Sequence, residues 1–316
     1  MELSPAKLME MKNDVFGLGL SQFLLTTFIL TLVGTQFFKQ SSSLSFVVAG
    51  ALALSSSAFV LQLLKDNNTL ETRHGQASFG TLLLQDLAVV PMLVITPLLA
   101  NQGGASTSGS PVAEALVKAA MALSGIAVFG KGLLRPLFEF VNQVQTQEVF
   151  LAVLFLTVMS CSYLTEGLGL SNTLGAFLAG VLLSESKWKH QVEESIATFR
   201  ALLLGLFFTS VGFDIDLGLI LNEWKTIGGL LIGLVGLKGA IVKLLGRGFG
   251  LTSADSTRSA SLLGPGSEFA FVILGLAKNV GLIEPTMTKL LLTTVSLSMA
   301  VTPSLYDMAS SKTKTA

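Results

Sequence analysis

The sequence predicts an all-α polytopic membrane protein, with about ten spanning helices in inverted-topology repeats around two crossing, broken helices. Three observations lead there. Of 316 residues, 51% are hydrophobic and only 13% charged, with a mean hydropathy of +0.69; a soluble domain carries about 25% charged residues. The apolar residues gather in runs long enough to cross a bilayer, for which a helix needs roughly 20 residues. Two of those runs carry polar interruptions near their middle, one of them a Gly-Pro-Gly that does not sit comfortably in a lipid-facing helix.

The composition excludes a disordered chain, a collagen, a disulfide scaffold and an ordinary cytosolic enzyme. Twenty basic residues balance twenty acidic ones, so no basic excess exists to hold nucleic acid. Cys161 is the single cysteine, which rules out an intrachain disulfide. His74 and His190 both stand in polar stretches, so no histidine- or cysteine-based metal site is expected within the membrane, and no catalysis on a covalent substrate is implied.

In chain order the expected spans are 17–36, 44–64, 76–99, 112–134, 148–165, 171–184, 199–215, 224–246, 258–279 and 286–308. These apolar runs are too long for barrel strands. The sixth is short, and the seventh ends in a Gly-Phe-Asp-Ile-Asp turn. Pro97, Pro111, Pro136, Pro285 and Pro303 mark ends or breaks. The stretch 101–111 is an uncharged loop, 185–195 a charged linker with amphipathic character, and 310–316 a disordered tail beyond a transmembrane domain of 1–309. Trp188 and Trp224 suit interface anchors.

Ten spans return both termini to one side. That side collects fourteen Lys and Arg residues, while Lys39, Lys118, Lys225, Lys278 and Lys289 lie on the other. The asymmetry makes the Met1 side cytoplasm-like.

Lys238 remains inside the eighth span. With Asp86 and Glu268 it forms a set of three ionisable residues near mid-span, a placement that lipid penalises by roughly 2.5–3.5 kcal/mol for a central Asp or Lys. A carboxylate at Asp86 can hold a cation or a proton and lets the two compete. Gln85 faces about 100° away on the same helix; it either lends a carbonyl oxygen to a dehydrated cation or ties helices together. Lys238 reads as a counter-charge to an acid in the site, flanked by Gly236 and Gly239, which allow close helix approach.

The interruptions are Ser55, Ser56 and Ser57 in the second span, and Gly264, Pro265, Gly266, Ser267 and Glu268 in the ninth. The serines could stay helical by bonding carbonyls one turn back; Gly-Pro-Gly could not. Glu268 offsets the dipole of an exposed half-helix. Spans 1–3 and 8–10 thus form two three-helix sets of opposite topology, each broken in its middle helix, which is the pattern of secondary transporters.

These residues carry a resemblance. MELSPAKL, ALALSSSAFVLQ, LLLQDLAVVP, LGAFLAGVLLSES, LLLGLFFTSVGFDID and LLGPGSEFAFVILG run in order along almost the whole chain. They resemble the potassium-efflux branch of the cation/proton antiporters, which holds bacterial glutathione-gated potassium efflux proteins and plastid potassium-efflux antiporters. The wording of GLGLSQF and QDLAVVP is closer to the plastid type, which implies a thylakoid or inner-envelope membrane over a bacterial inner membrane. The resemblance implies antiport of potassium against protons by alternating access, with Asp86 as the shared carrier, Gln85 its paired residue and Lys238 the core lysine. It implies no cofactor beyond the transported ions, and the lipid bilayer, cation and proton as partners. It also implies that about three helices of the family's membrane domain precede this chain, with a homodimer once they are supplied. A cation channel or uniporter, and a non-transporting partner of a longer homologue, are the rival readings.

Overall fold

The computed structural model describes residues 12–100, 146–167, 172–184, 186–214 and 217–312, and every regular element among them is a helix. Contacts divide the chain into two compact units, one drawn from Met1–Met92 with Ile215–Ala316, the other Leu93–Asp214.

The first unit opens with α1 (Asn13–Gln36), whose first two turns, Asn13–Gly19, are π-helical. Then come α2 (Ser42–Ala53), α3 (Ser57–Asp66) and α4 (Arg73–Ala100), of which the part up to Met92 belongs here. After the second unit follow α8 (Leu217–Asn222), α9 (Trp224–Gly248), α10 (Ser253–Leu263), α11 (Glu268–Asn279), α12 (Pro285–Ala300) and α13 (Thr302–Lys312). Helix α1 lies along α2, α9 along α10, and α11 bridges α2 and α12. Val60, Leu64, Leu82, Val242, Leu262, Leu263 and Tyr306 form one buried apolar cluster; Leu18, Ala77 and Leu251 form another. Arg73 donates a two-pronged pair of hydrogen bonds to Asp14, at 2.7 and 2.8 Å, which ties the start of α4 to the start of α1. The bidentate geometry suits the planar guanidinium.

The second unit holds α5 (Gln147–Gly167), α6 (Asn172–Ser184) and α7 (Lys189–Asp214). Helices α5 and α6 lie side by side. Phe150, Leu154, Leu183 and Val192 make its core, with Trp188 packed against them, and Phe155 meets Phe199 edge-on at 5.6 Å between ring centroids.

Among the described residues five helices are long and apolar enough to cross a membrane: Asn13–Gln36, Ser42–Asp66, Arg73–Ala100, Glu148–Gly167 and Trp224–Gly248. Helices α10 and α11, bent by 42°, make a sixth when taken as one broken span, and α6 is a shorter apolar helix. The expected fourth span, 112–134, and the loop 101–111 lie outside the described residues.

Several expectations need correction. The charged linker 185–195 is largely helix, because α7 begins at Lys189 and carries its charged first turns straight into the apolar run; Lys189 and Glu193 are spaced for an i,i+4 pair. The tenth span is two helices, broken at Val301. Pro303 lacks the N–H that would have bonded the carbonyl one turn back. Pro97 does not end α4, which continues to Ala100. The tail does not begin at 310, since α13 runs through Lys312. His74, although in a polar stretch, is buried: its ring nitrogens reach Thr72 Oγ1 (3.0 Å) and Tyr306 OH (3.2 Å), and these partners make burial tolerable.

Candidate functional site

The middle helix of each three-helix set breaks. Helix α2 stops at Ala53; Leu54 is extended (φ −72°, ψ 151°) and Ser56, at φ −72° and ψ 110°, begins α3 by accepting the Phe59 N–H at 3.3 Å. Helix α10 stops at Leu263, and Ser267, at φ −130° and ψ 154°, caps α11 by accepting the Phe269 N–H at 3.1 Å. Ser is a preferred N-cap because its oxygen takes up an otherwise free backbone donor. Ser57 and Glu268 are each the first residue of the helix that follows a break.

A break at membrane depth leaves backbone groups that lipid cannot satisfy. Side chains satisfy them here. The Ser55 hydroxyl donates to Leu263 O at 2.8 Å, which joins the two breaks directly. The Gly266 N–H donates to Ser298 Oγ of α12 at 2.9 Å. Lys238, fully buried on α9, donates to Leu52 O (3.2 Å), Leu54 O and Pro265 O (2.9 Å). Three carbonyls match the three donors of an ammonium. The hydrogen-bond partners of Lys238 are therefore the carbonyl ends of both half-helices, where the macrodipole is negative.

Gln85 is buried and accepts the Ser55 N–H at 2.7 Å through Oε1, while its Nε2 donates to Gln22 Oε1 at 2.7 Å. Asp86 follows it on α4, half-buried, with one carboxylate oxygen wholly enclosed. Glu268, half-buried in the first turn of α11, stands where the dipole is positive, and its Oε2 lies 3.5 Å from Ser267 Oγ. Gly264 and Gly266 are held by close approach. A β-carbon on Gly264 would lie 2.8 Å from Ala260 O and 3.1 Å from Val235 O; one on Gly266 would lie 3.0 Å from a Val295 methyl and 3.2 Å from Ser298 Oγ.

Sequence reasoning missed Gln22, Ser298 and the ladder at one end of this unit. There Ser78 Oγ donates to Ser259 Oγ (3.2 Å), and Ser259 Oγ lies 3.4 Å from His74 O. Gln22 had a readable signal: it is a wide polar side chain inside the apolar run of α1. Ser298 and Ser259 had none, because small hydroxyls are common in spanning helices.

The likeness to known proteins follows this geometry. Residues 1–307 match the family described as "Sodium/hydrogen exchanger, transmembrane". The chain is 42% identical to "K(+) efflux antiporter 3, chloroplastic" of Arabidopsis thaliana, over 98% of this chain and 42% of that protein. It is 43% identical to "K(+) efflux antiporter 1, chloroplastic" of the same plant, over 96% of this chain and 26% of that protein. It thus spans less than half the length of these relatives. Among solved structures, the sodium proton antiporter MjNhaP1 from Methanocaldococcus jannaschii matches 96% of this chain and 79% of its own, with a TM-score of 0.67 and 17% identity; at that identity the likeness is one of fold. The match over almost the whole chain and the kinship with the chloroplastic relatives establish that this integral membrane protein belongs to the sodium/hydrogen exchanger transmembrane family, in the branch of the potassium-efflux antiporters.

Proposed function

We propose that the chain exchanges potassium for protons across a membrane, by alternating access, with Asp86 as the one carboxylate that both ions share. The observation that carries the reading is the tied crossing of two broken helices, Ser55 to Leu263 and Lys238 to Leu54 and Pro265, beside the helix that bears Asp86. Broken helices near the midplane are where secondary transporters hold ions. Gln85 stands beside Asp86 where a second acid would double the charge, so one carboxylate handles one charge and the exchange is electroneutral, one ion for one proton. Potassium as the cation and a plastid membrane as the setting rest on the names of the relatives.

The test is flux in proteoliposomes containing the purified chain. An imposed pH gradient drives potassium uptake, and a potassium gradient drives proton movement, without a membrane potential. Potassium flux that ignores the pH gradient would identify a channel and sink the proposal; sodium carried in preference to potassium would remove the ion assignment alone.

The crossing also makes a steric prediction. Gly266→Leu places a branched side chain where even a β-carbon meets Val295 and Ser298. Exchange falls to background while Gly275→Leu, at a position open around its β-carbon, keeps most of the parental rate. Parental exchange in Gly266→Leu would mean that the segment is not a crowded crossing during transport.

A further inference from the structure

Among the backbone groups that the first break leaves, besides the carbonyls that Lys238 holds, are the Ser55 N–H and the Ala53 carbonyl. Two glutamine side chains join them. Ser55 N–H donates to Gln85 Oε1 (2.7 Å), Gln85 Nε2 donates to Gln22 Oε1 (2.7 Å), and Gln22 Nε2 donates to Ala53 O (3.4 Å) and Thr26 Oγ1 (3.2 Å). Gln22 and Gln85 are 0% and 1% exposed. A backbone N–H can only donate and a backbone carbonyl can only accept, so the two ends fix the orientation of both amides. The relay leaves the broken helix at Ser55, passes through α4 and α1 and returns to the broken helix at Ala53. Its far end shares the extended turn with Leu54, whose carbonyl Lys238 holds, and with Ser55, whose hydroxyl reaches the second break.

We infer that Gln22 is a positioning residue for ion exchange: through Gln85 it sets the extended turn Leu54–Ser56, and Gln85 serves that turn and is not a ligand of the cation. The inference rests on the exchange reading above for its consequence in transport, and on the hydrogen-bond geometry for its consequence in stability. Gln85 has one carbonyl oxygen, and the Ser55 N–H draws on one of its two lone pairs; a cation on the same oxygen would weaken that bond. A cation that drew on that oxygen would compete with the Ser55 N–H, which has no other acceptor in the relay. The cost of leaving a buried donor without a partner makes that exchange unfavourable. Gln22 and Gln85 therefore act as one unit.

A double-mutant cycle with Gln22→Met, Gln85→Met and both together tests this. Methionine keeps the length and removes the hydrogen bonds. Potassium-driven exchange is measured over a range of cation concentrations and pH values, and thermal unfolding is followed in detergent. Each single variant lowers the maximal rate about tenfold, leaves the cation KM within about twofold and keeps the shape of the pH profile; the double variant is no worse than the poorer single one. The losses in melting temperature are likewise not additive. A rise in cation KM, or a changed preference between potassium and sodium, in Gln85→Met but not in Gln22→Met would make Gln85 a ligand and overturn the inference. Losses that add would overturn the relay. Where a methionine variant fails to accumulate, the asparagine variants, which keep the amide but shorten its reach, carry the same cycle with the same two outcomes. Thermal unfolding needs no transport: a parent with no exchange but coupled melting losses sinks the proposed function alone, and a parent that exchanges but shows additive losses sinks the relay alone.

Discussion

Asp86→Asn abolishes proton-coupled exchange and leaves a folded, membrane-inserted protein. Asparagine keeps the size and the hydrogen-bonding capacity of the side chain but removes the negative charge that either ion would neutralise. The Asp86 carboxylate is half-buried with one oxygen enclosed, so its charge is held at a cost that the amide does not bear. The variant melts at or above the parental temperature. Gln85 cannot take over the role, because an amide carries no negative charge and does not take up and release a proton. In the parent, sharing one group has a kinetic signature. A protonated Asp86 cannot take a cation, so lowering the pH raises the apparent KM for potassium and leaves the maximal rate nearly unchanged; raising the pH does the reverse. A channel with the same acid would pass potassium without moving a proton in return. Retained exchange in a well-folded Asp86→Asn protein would refute the site assignment and most of the mechanism with it.

How far the sequence could be read depended on the range of each interaction. Apolar runs and the Gly264-Pro265-Gly266 break are local: composition and the missing proline N–H decide them within one turn. The serine break was ambiguous for an equally local reason, since three hydroxyls can bond within a helix or outside it. What resolved it lies far away in the chain. Ser55 meets a carbonyl 208 residues later, and Lys238 a carbonyl 184 residues earlier. No spacing rule encodes such a pair. For the same reason a lysine at mid-span invited an acid as its partner, with no sign in the sequence of the half-helix carbonyls that it also bonds. The helical character of 189–195 was missed by reading charge alone and follows from charge spacing, whereas the break at Val301 falls beside Pro303, which the sequence marks as an end or break. His74 shows the remaining limit: its polar neighbours in sequence say nothing of its depth, and Thr72 with Tyr306, 232 residues away, allow it to be buried.

Lys238 gives the second large effect, and it is one of stability before transport. Its ammonium is the sole side-chain donor seen on Leu52 O, Leu54 O and Pro265 O among the described residues. These carbonyls belong to both breaks, so one side chain pins two half-helices that share no covalent link. Removing it leaves buried acceptors unsatisfied at about 1–3 kcal/mol each, only part of which relaxation or water recovers. Lys238→Met, which fills the space and donates nothing, should therefore lower the melting temperature by roughly 5–15 °C. Lys238→Gln keeps two amide donors on a shorter stem and should lose about half as much, with some exchange retained. The order parent, Gln, Met separates this role from that of a counter-charge to an acid: both substitutions remove the charge equally, so a counter-charge predicts equal losses. Exchange in the Gln variant keeps the competition between proton and cation, because Asp86 is untouched. A methionine variant with parental melting temperature and parental exchange would show that the two breaks hold their crossing without Lys238.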